Sequence, residues 1–101
     1  MQGSTLEQLQ QQGQVYELHN SVVTIGRYRD NEIVLADRLV ARRHARLIWL
    51  EDGTYGIEDL HWPTGIMVNG RGLNASEIRP LQDGDRIQIG QTVLVFRSSR
   101  R

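Results

Sequence analysis

Three short motifs carry the side chains of this chain that could do chemistry. They are Gly26-Arg27, then Ala41-Arg42-Arg43-His44, then Gly65 followed by Val68-Asn69-Gly70, and each lies between short apolar runs. The planar fork of an arginine side chain suits two-pronged binding of phosphate, and a glycine in front of it lets the backbone turn sharply. By residue type alone, the arginines of these motifs are therefore candidates for binding an anion such as phosphate.

Clustering of charge supports this interpretation more than total charge does. All twelve basic residues are arginine, and twelve acidic residues bring the formal net charge to zero. Six of the arginines lie between residues 27 and 46 beside three acidic residues, so this segment carries plus three. Codon usage can explain the missing lysine but not the clustering. The neutral total argues against broad binding of nucleic acid or of an anionic membrane surface.

The pattern beyond residue 14 is typical of short strands. Turn residues separate β-branched and aromatic runs at residues 15–18, 22–25, 33–35, 45–50, 55–57, 66–68, 86–89 and 93–96. Turns such as Asn69-Gly70 supply the positive φ that hairpins need, and no helical period persists for three turns. Residues 74–77 are the one stretch that could form a helical turn. The sequence predicts an all-β sandwich, whose loops can converge on a ligand at one end.

The length of 101 residues predicts one domain. We expect a flexible glutamine-rich segment at residues 1–14, a folded domain at 15–97 and a polar tail at 98–101. The chain has no cysteine and no run of about 20 apolar residues, so we expect a cytoplasmic soluble domain without membrane insertion in this segment. A parent protein could still be membrane-attached. Thr5, on the expected flexible segment, could bind the chain's own site if phosphorylated.

The ordered series of motifs resembles the forkhead-associated (FHA) domain family over residues 22–96. That family has a Gly-Arg, a Ser-Arg-x-His and an Asn-Gly-Thr-x-Val-Asn-Gly at matching positions. Further likeness lies in Asn31-Glu32-Ile33-Val34-Leu35 and in the stretch from Leu81 to Gly90. The resemblance implies a sandwich of two mainly antiparallel sheets with loops at one end that hold a phosphothreonine peptide.

The resemblance also implies which residues contact the phosphothreonine. Arg27 would supply the guanidinium fork, although from its sequence neighbourhood alone it could equally be a surface arginine paired with Asp30 or Glu32. Ala41 stands where the family has a serine that donates its hydroxyl to the phosphate. Losing that bond predicts roughly ten- to hundredfold weaker binding. Arg42 and Arg43 could substitute as donors, but a solvated basic rim is the preferred interpretation for Arg43.

Other positions would support the loops or contact the peptide. Thr64 replaces an asparagine that grips the peptide backbone, and Gly65 follows it in the same loop. By resemblance, His44 braces the recognition loop through backbone hydrogen bonds, and a metal-binding role lacks any ligand spacing around it. Gly26, Asn69 and Gly70 complete the expected loop-supporting set.

Two functions remain open from the sequence. The first is a phosphothreonine-dependent interaction module of a larger signalling or regulatory protein, with weakened phosphate affinity. Its partner would be a phosphothreonine-containing protein or peptide, or a segment of its own parent chain. The second is a degenerate domain that contacts proteins without phosphate. An enzyme is not expected, because the chain has no catalytic motif and no lysine, and no cofactor is expected either.

Overall fold

The computed structural model describes residues 3–10, 13–61 and 65–98, which form eleven strands. The strands are β1 (Ser4–Gln8), β2 (Val15–Glu17), β3 (Val22–Gly26), β4 (Ile33–Val34), β5 (Ala45–Trp49), β6 (Tyr55–Asp59), β7 (Ile66–Val68), β8 (Arg71–Gly72), β9 (Ile78–Pro80), β10 (Arg86–Ile89) and β11 (Thr92–Ser98). None of these residues belongs to a helix long and apolar enough to cross a membrane.

The strands form two sheets. One has the order β2-β1-β11-β10-β7-β8 and the other the order β4-β3-β5-β6-β9. The β3–β4 pair is parallel, and the other pairs with a determined register are antiparallel. This confirms the predicted all-β sandwich of two mainly antiparallel sheets.

Alternating side chains explain why these segments form strands. In β10 the isoleucines Ile87 and Ile89 are fully buried, whereas Arg86 and Gln88 between them are exposed. Such a period of two places one face of a strand on the core and the other in solvent. The turn between β7 and β8 has φ values of 52° at Asn69 and 81° at Gly70, as a two-residue type I′ turn requires.

The core lies between the two sheets and includes contacts between aromatic rings. The ring of Tyr55 packs edge-on against Trp49, with centroids 5.0 Å apart, and against Phe96 at 6.4 Å. Its hydroxyl donates to the carbonyl of Asn20 at 2.6 Å, which satisfies the one polar atom of this buried side chain. The other fully or almost fully buried side chains include Leu6, Leu18, Ile25, Leu35, Leu47, Ile57, Ile66, Leu81, Ile87 and Ile89.

The prediction that residues 1–14 are flexible is wrong for Ser4–Gln8. This stretch is β1, and it pairs along its whole length with β11, from Ser4 opposite Ser98 to Gln8 opposite Leu94. Leu6 is completely buried in the core. The strand was missed because Leu6 is its only apolar residue, while backbone pairing on both sides supplies the remaining order.

The position of Thr5 also corrects an expectation. Thr5 lies in the middle of β1, opposite Glu17 on one side and Arg97 on the other. It could reach a distant site only if β1 detached from both neighbours. Thr5 is therefore not a residue of a free tail.

Two further strands and one turn differ from the sequence prediction. The prediction lacked β8, which has only two residues, and β9, which ends in Pro80 at the edge of its sheet. Residues 74–77 form a β-turn rather than a turn of helix, closed by a bond from the Glu77 N–H to the Asn74 carbonyl at 3.1 Å. Ser76 has a φ of 65°, which a continuing right-handed helix does not allow.

Candidate functional site

Three connections meet at one end of the sandwich. Loop A joins β3 to β4 (residues 27–32), loop B joins β4 to β5 (residues 35–44), and loop C joins β6 to β7 (residues 60–65). Residues 62–64 of loop C, including Thr64 and Trp62, lie outside the described part of the chain. The arginine-containing motifs predicted from the sequence lie in loops A and B, so the fold brings them together.

Loop B packs directly on the end of β3 at Gly26. A β-carbon at this position would collide with the carbonyl oxygen of Arg42 and would lie 2.7 Å from the side-chain nitrogen of Asn31. That nitrogen donates to the carbonyls of Arg42 at 2.6 Å and Tyr28 at 2.7 Å. The Arg27 N–H donates to the Ala41 carbonyl at 2.9 Å. Gly26 and Asn31 thus hold loops A and B against each other.

His44 joins loop B to loop C. Its Nδ1 accepts the N–H of Ala41 at 3.0 Å, and its Nε2 lies 3.0 Å from the carbonyl of Gly65. A carbonyl can only accept, so Nε2 carries the proton and the ring is neutral. Burial lowers the pKa of this fully buried ring below its usual 6.5, although the bond to Gly65 and the charges of Asp59 and Asp37 oppose the shift.

Asp37 ties the other side of loop B to the β10–β11 turn. Its carboxylate accepts the Leu39 N–H at 2.9 Å, the Gln91 N–H at 2.8 Å and the Thr92 hydroxyl at 2.8 Å. Partial burial alone would raise the pKa of Asp37, but these hydrogen bonds outweigh it and lower the pKa. Loop B is therefore held at both ends, by Asp37 and by His44.

Between the loops lies an open depression of about 470 Å³. It is lined by Arg27, Arg38, Leu39, Val40, Ala41, Arg42, Arg43 and His61. Four of these side chains are arginines, and none of the described residues that line the depression is acidic. This concentration of positive charge suits an anion with several acceptor oxygens.

The arginines of the depression are held in different ways. Nε of Arg27 donates to the Val40 carbonyl at 2.9 Å, which leaves its terminal nitrogens for a ligand. Arg43 is paired with Asp30 at 2.7 Å, with both side chains more than half exposed. Arg38 and Arg42 form no ion pair with any residue that the structure describes. The solvated-rim interpretation thus fits Arg43 best.

The alternative partners proposed for Arg27 are occupied elsewhere. Asp30 pairs with Arg43, and the carboxylate of Glu32 accepts a bond from the Asn20 amide at 2.9 Å. Arg27 itself turns toward the depression and bonds to loop B. The interpretation of Arg27 as a surface arginine paired with a neighbouring acid is therefore not supported.

The structure does not bring every predicted residue to this site. Asn69 and Gly70 lie at the opposite end of β7 from Gly65, where Asn69 bonds to Asp85 at 2.9 Å and to the Arg86 N–H at 2.9 Å. They support the β7–β8 turn and the start of β10, not loops A to C. Their place in one continuous motif with Gly65 had suggested a shared role.

Arg38 and Tyr28 are among the residues at the site that the sequence prediction did not name. Arg38 lines the depression, and Tyr28 lies beside two of its arginines, with its ring centre 4.8 Å from Cζ of Arg42 and 5.5 Å from Cζ of Arg27. The charge clustering included Arg38, so that signal was present. No local signal in the sequence identified Tyr28, because its contact with Arg42 crosses from loop A to loop B.

Curated relatives align with most of the chain. It is 41% identical over 80 residues, 79% of its length, to an ABC transporter ATP-binding/permease protein of Mycobacterium tuberculosis, of which this covers 9%. It is 36% identical to an oxoglutarate dehydrogenase inhibitor of Corynebacterium glutamicum, covering 83% of the chain and 56% of the relative. It is 33% identical to the glycogen accumulation regulator GarA of M. tuberculosis, covering 83% and 49%. The chain thus spans about half the length of two of these relatives and less of the other.

Solved structures share the architecture. One comes from a structural and functional analysis of phosphothreonine-dependent FHA domain interactions, with a TM-score of 0.86, 28% identity and coverage of 97% of this chain and 98% of the other. Another is M. tuberculosis EmbR in complex with a low-affinity phosphopeptide, with a TM-score of 0.85, 31% identity and coverage of 97% and 25%.

A family model also matches nearly the whole chain. A family model described as "Inner membrane component of T3SS, cytoplasmic domain", which is an FHA-type domain, matches residues 8–100. The match includes loops A, B and C and ten of the eleven strands in full. Together with the sandwich and its structural relatives, this match shows that the chain belongs to the forkhead-associated (FHA) domain family.

Proposed function

We propose that this chain is a phosphothreonine-dependent protein interaction module that forms part of a larger signalling or regulatory protein. The observation that carries the proposal is the depression between loops A, B and C. Arg27, Arg38 and Arg42 face it without an acidic partner among the described residues. Phosphothreonine brings close to two negative charges and three acceptor oxygens, which match such a set of guanidinium donors.

Arg27 is the proposed principal phosphate ligand. Its backbone is fixed by the bond to Ala41, and its side chain is fixed by the bond from Nε to Val40. Because the guanidinium is already oriented, little side-chain entropy remains to be lost when phosphate binds. Arg42 and the unpredicted Arg38 would supply further donors. Arg43 would contribute from the rim, and Thr64 and Gly65 of loop C remain proposed peptide contacts.

With Ala41, the proposed affinity for phosphate is weaker than it would be with a hydroxyl-bearing residue at this position. The residue lines the depression, but its methyl group cannot donate a hydrogen bond. Its N–H is already used by Nδ1 of His44, so the backbone does not replace the missing donor. We therefore expect a phosphate-dependent complex that is weaker by roughly ten- to hundredfold than one with a serine.

Two of the three named relatives suggest regulation rather than catalysis. One is an inhibitor of oxoglutarate dehydrogenase, and another is a regulator of glycogen accumulation. By extension, this chain would act by binding a phosphorylated protein and would itself catalyse no reaction. We propose that it works in the cytoplasm, where ATP-dependent protein kinases can produce its ligand.

The test is a comparison of matched phosphothreonine and unphosphorylated peptides. The starting probe is a degenerate peptide library centred on phosphothreonine, from which one binding sequence is chosen for titration calorimetry. Wild type should bind only the phosphorylated form, and Arg27→Ala should weaken that binding by about ten- to hundredfold. Arg71→Ala removes the same charge from exposed β8, away from the depression, and should bind like wild type.

Equal affinity for the two peptides, together with an unchanged Arg27→Ala variant, would overturn the proposal. That result would instead support contacts with protein surfaces that do not depend on phosphate. Loss of binding in Arg71→Ala as well as Arg27→Ala would show a general charge effect rather than a defined phosphate site.

A further inference from the structure

The ring of Tyr28 is the feature of the site that the phosphate hypothesis does not explain. Tyr28 follows Arg27 in loop A and is 42% exposed. The guanidinium carbon of Arg42 lies 4.8 Å from the ring centre, and that of Arg27 lies 5.5 Å from it. Both distances fall within the roughly 6 Å over which an aromatic face attracts a cation.

The backbone of Tyr28 is held by hydrogen bonds to both loops, which fixes the point from which the ring projects. Its carbonyl accepts two bonds from Asn31, one from the side-chain amide at 2.7 Å and one from the N–H at 3.2 Å. The Tyr28 N–H reaches the Arg42 carbonyl at 3.4 Å. The backbone that carries the ring is therefore joined to loop B.

The two arginines beside the ring differ in how their guanidinium groups are held. The Nε of Arg27 is held by its hydrogen bond to the Val40 carbonyl. Arg42 has no ion pair with a described residue, and its guanidinium carbon lies over the ring of Tyr28. Arg43 shows the alternative, because its guanidinium is held by the carboxylate of Asp30 at 2.7 Å.

An aromatic ring and a carboxylate orient arginine with opposite consequences for phosphate. A carboxylate occupies the N–H donors at the edge of the guanidinium and neutralises its charge, so it competes with an incoming anion. A ring contacts the face of the guanidinium and leaves the N–H edge free and the charge intact. Tyr28 can therefore order Arg42 without reducing its capacity to bind phosphate.

We propose that Tyr28 is a positioning residue of the phosphate site, whose ring orients Arg42 and, less closely, Arg27 toward the bound phosphate. The inference rests on the proposed function. The ring acts through the arginines and does not itself donate to the ligand.

The experiment compares Tyr28→Phe, which keeps the ring, with Tyr28→Leu, which keeps apolar bulk without an aromatic face. Titration with the phosphothreonine peptide selected from the degenerate library should give Tyr28→Phe within about twofold of wild type. Tyr28→Leu should be weaker by about five- to thirtyfold, the combined effect expected for two cation–π contacts. Thermal unfolding of each variant establishes that it is folded.

A double-mutant cycle with Arg42→Ala distinguishes positioning from a purely structural role. The loss of peptide affinity caused by Tyr28→Leu should be at least about twofold smaller in the Arg42→Ala background, because one of the two arginines that the ring orients is then absent. The Nε–H resonance of Arg42, recorded without ligand, should shift in Tyr28→Leu and stay close to wild type in Tyr28→Phe.

Different outcomes overturn the two proposals. If wild type binds phosphorylated and unphosphorylated peptides equally, the proposed function fails. If wild type requires phosphate but Tyr28→Leu binds as wild type does, only the role of Tyr28 fails. An equal loss from Tyr28→Leu with and without Arg42 would also overturn it, because the ring would then act on the peptide or on the fold.

Discussion

The carbonyl oxygen of Arg42 occupies the space in which a side chain of Gly26 would begin. A β-carbon on Gly26 would collide with that oxygen and would also lie 2.7 Å from the Asn31 amide nitrogen. Because both neighbours belong to the contact between loops A and B, neither can move without disturbing the arginines. The shape of the proposed phosphate site therefore depends on the absence of a side chain at residue 26.

Gly26→Ala should lower stability and phosphopeptide affinity together. We expect a loss of about 1–3 kcal/mol in the free energy of unfolding, because the added methyl must displace backbone. Urea unfolding and peptide titration measure the two effects. Gly72→Ala is the matched control, because a β-carbon there meets nothing within 4 Å, and it should change stability by less than about 0.5 kcal/mol. Equal stability of the two variants would contradict the proposed packing.

Ala41→Ser should tighten phosphopeptide binding. The new hydroxyl would lie in the lining of the depression, where a hydrogen bond to a charged group contributes roughly 1.5 to 3 kcal/mol, or about ten- to hundredfold in affinity. Titration with matched phosphorylated and unphosphorylated peptides checks this. Ala75→Ser, in the exposed turn before β9, should have no effect. A gain for both peptides alike, or for neither, would count against a phosphate contact at residue 41.

Stability should fall as the pH drops below 6.5. The folded pKa of His44 lies below its ordinary 6.5, so the unfolded chain binds a proton that the native chain excludes. The contribution is fully present above about pH 6.5 and is lost as the pH falls toward the folded pKa. One proton limits the slope to about 1.4 kcal/mol per pH unit.

Urea unfolding without ligand at several pH values isolates this effect from titration of the phosphopeptide, whose own second pKa is near 6. His19→Gln is the control, since His19 is largely exposed, and it should keep the same pH dependence. Asp37 has a lowered pKa, so its stabilising contribution should persist until the pH falls below about 4 and should not overlap this window. A flat profile between pH 7.5 and 5.5 would contradict a neutral, buried His44.

Leu6→Ala should destabilise the domain by about 2–5 kcal/mol, because Leu6 is completely buried between the sheets. Leu9→Ala, one residue beyond β1 and 45% exposed, should cost less than about 0.5 kcal/mol. Urea unfolding of both variants makes the comparison. Similar small effects would mean that β1 contributes little, as the expected flexible segment at residues 1–14 implied.

Local patterns predicted the parts of the fold that local physics determines. Alternating β-branched residues gave strands such as β3 and β10, and Asn69-Gly70 gave its turn. By contrast, β1 buries Ser4 and Gln8 beside its single leucine, and its order comes from pairing with a strand at the other end of the sequence. No window of neighbouring residues contains that information.

The site likewise has features that the sequence predicted and features that depend on contacts between distant residues. The arginine cluster together with the family resemblance predicted a phosphate site, and the resemblance predicted that His44 would bond backbone rather than ligand. The contact of Tyr28 with Arg42 and the support of loop B by Asp37 depend on how separate loops meet. The position of Asn69 was misjudged because a shared motif suggested proximity, whereas the extended β7 separates Asn69 from Gly65.

Pairing of β1 with β11 also limits when the domain can finish folding. Strand β1 is synthesised before β11 and must wait for it, since Ser4 pairs with Ser98, and until then β1 can pair only with β2. Contacts between such distant parts of a chain slow folding and leave intermediates with unpaired strand edges. A ribosome-bound chain that stops short of β11 should therefore expose Leu6 and the free edges of β1 and β10 to chaperones.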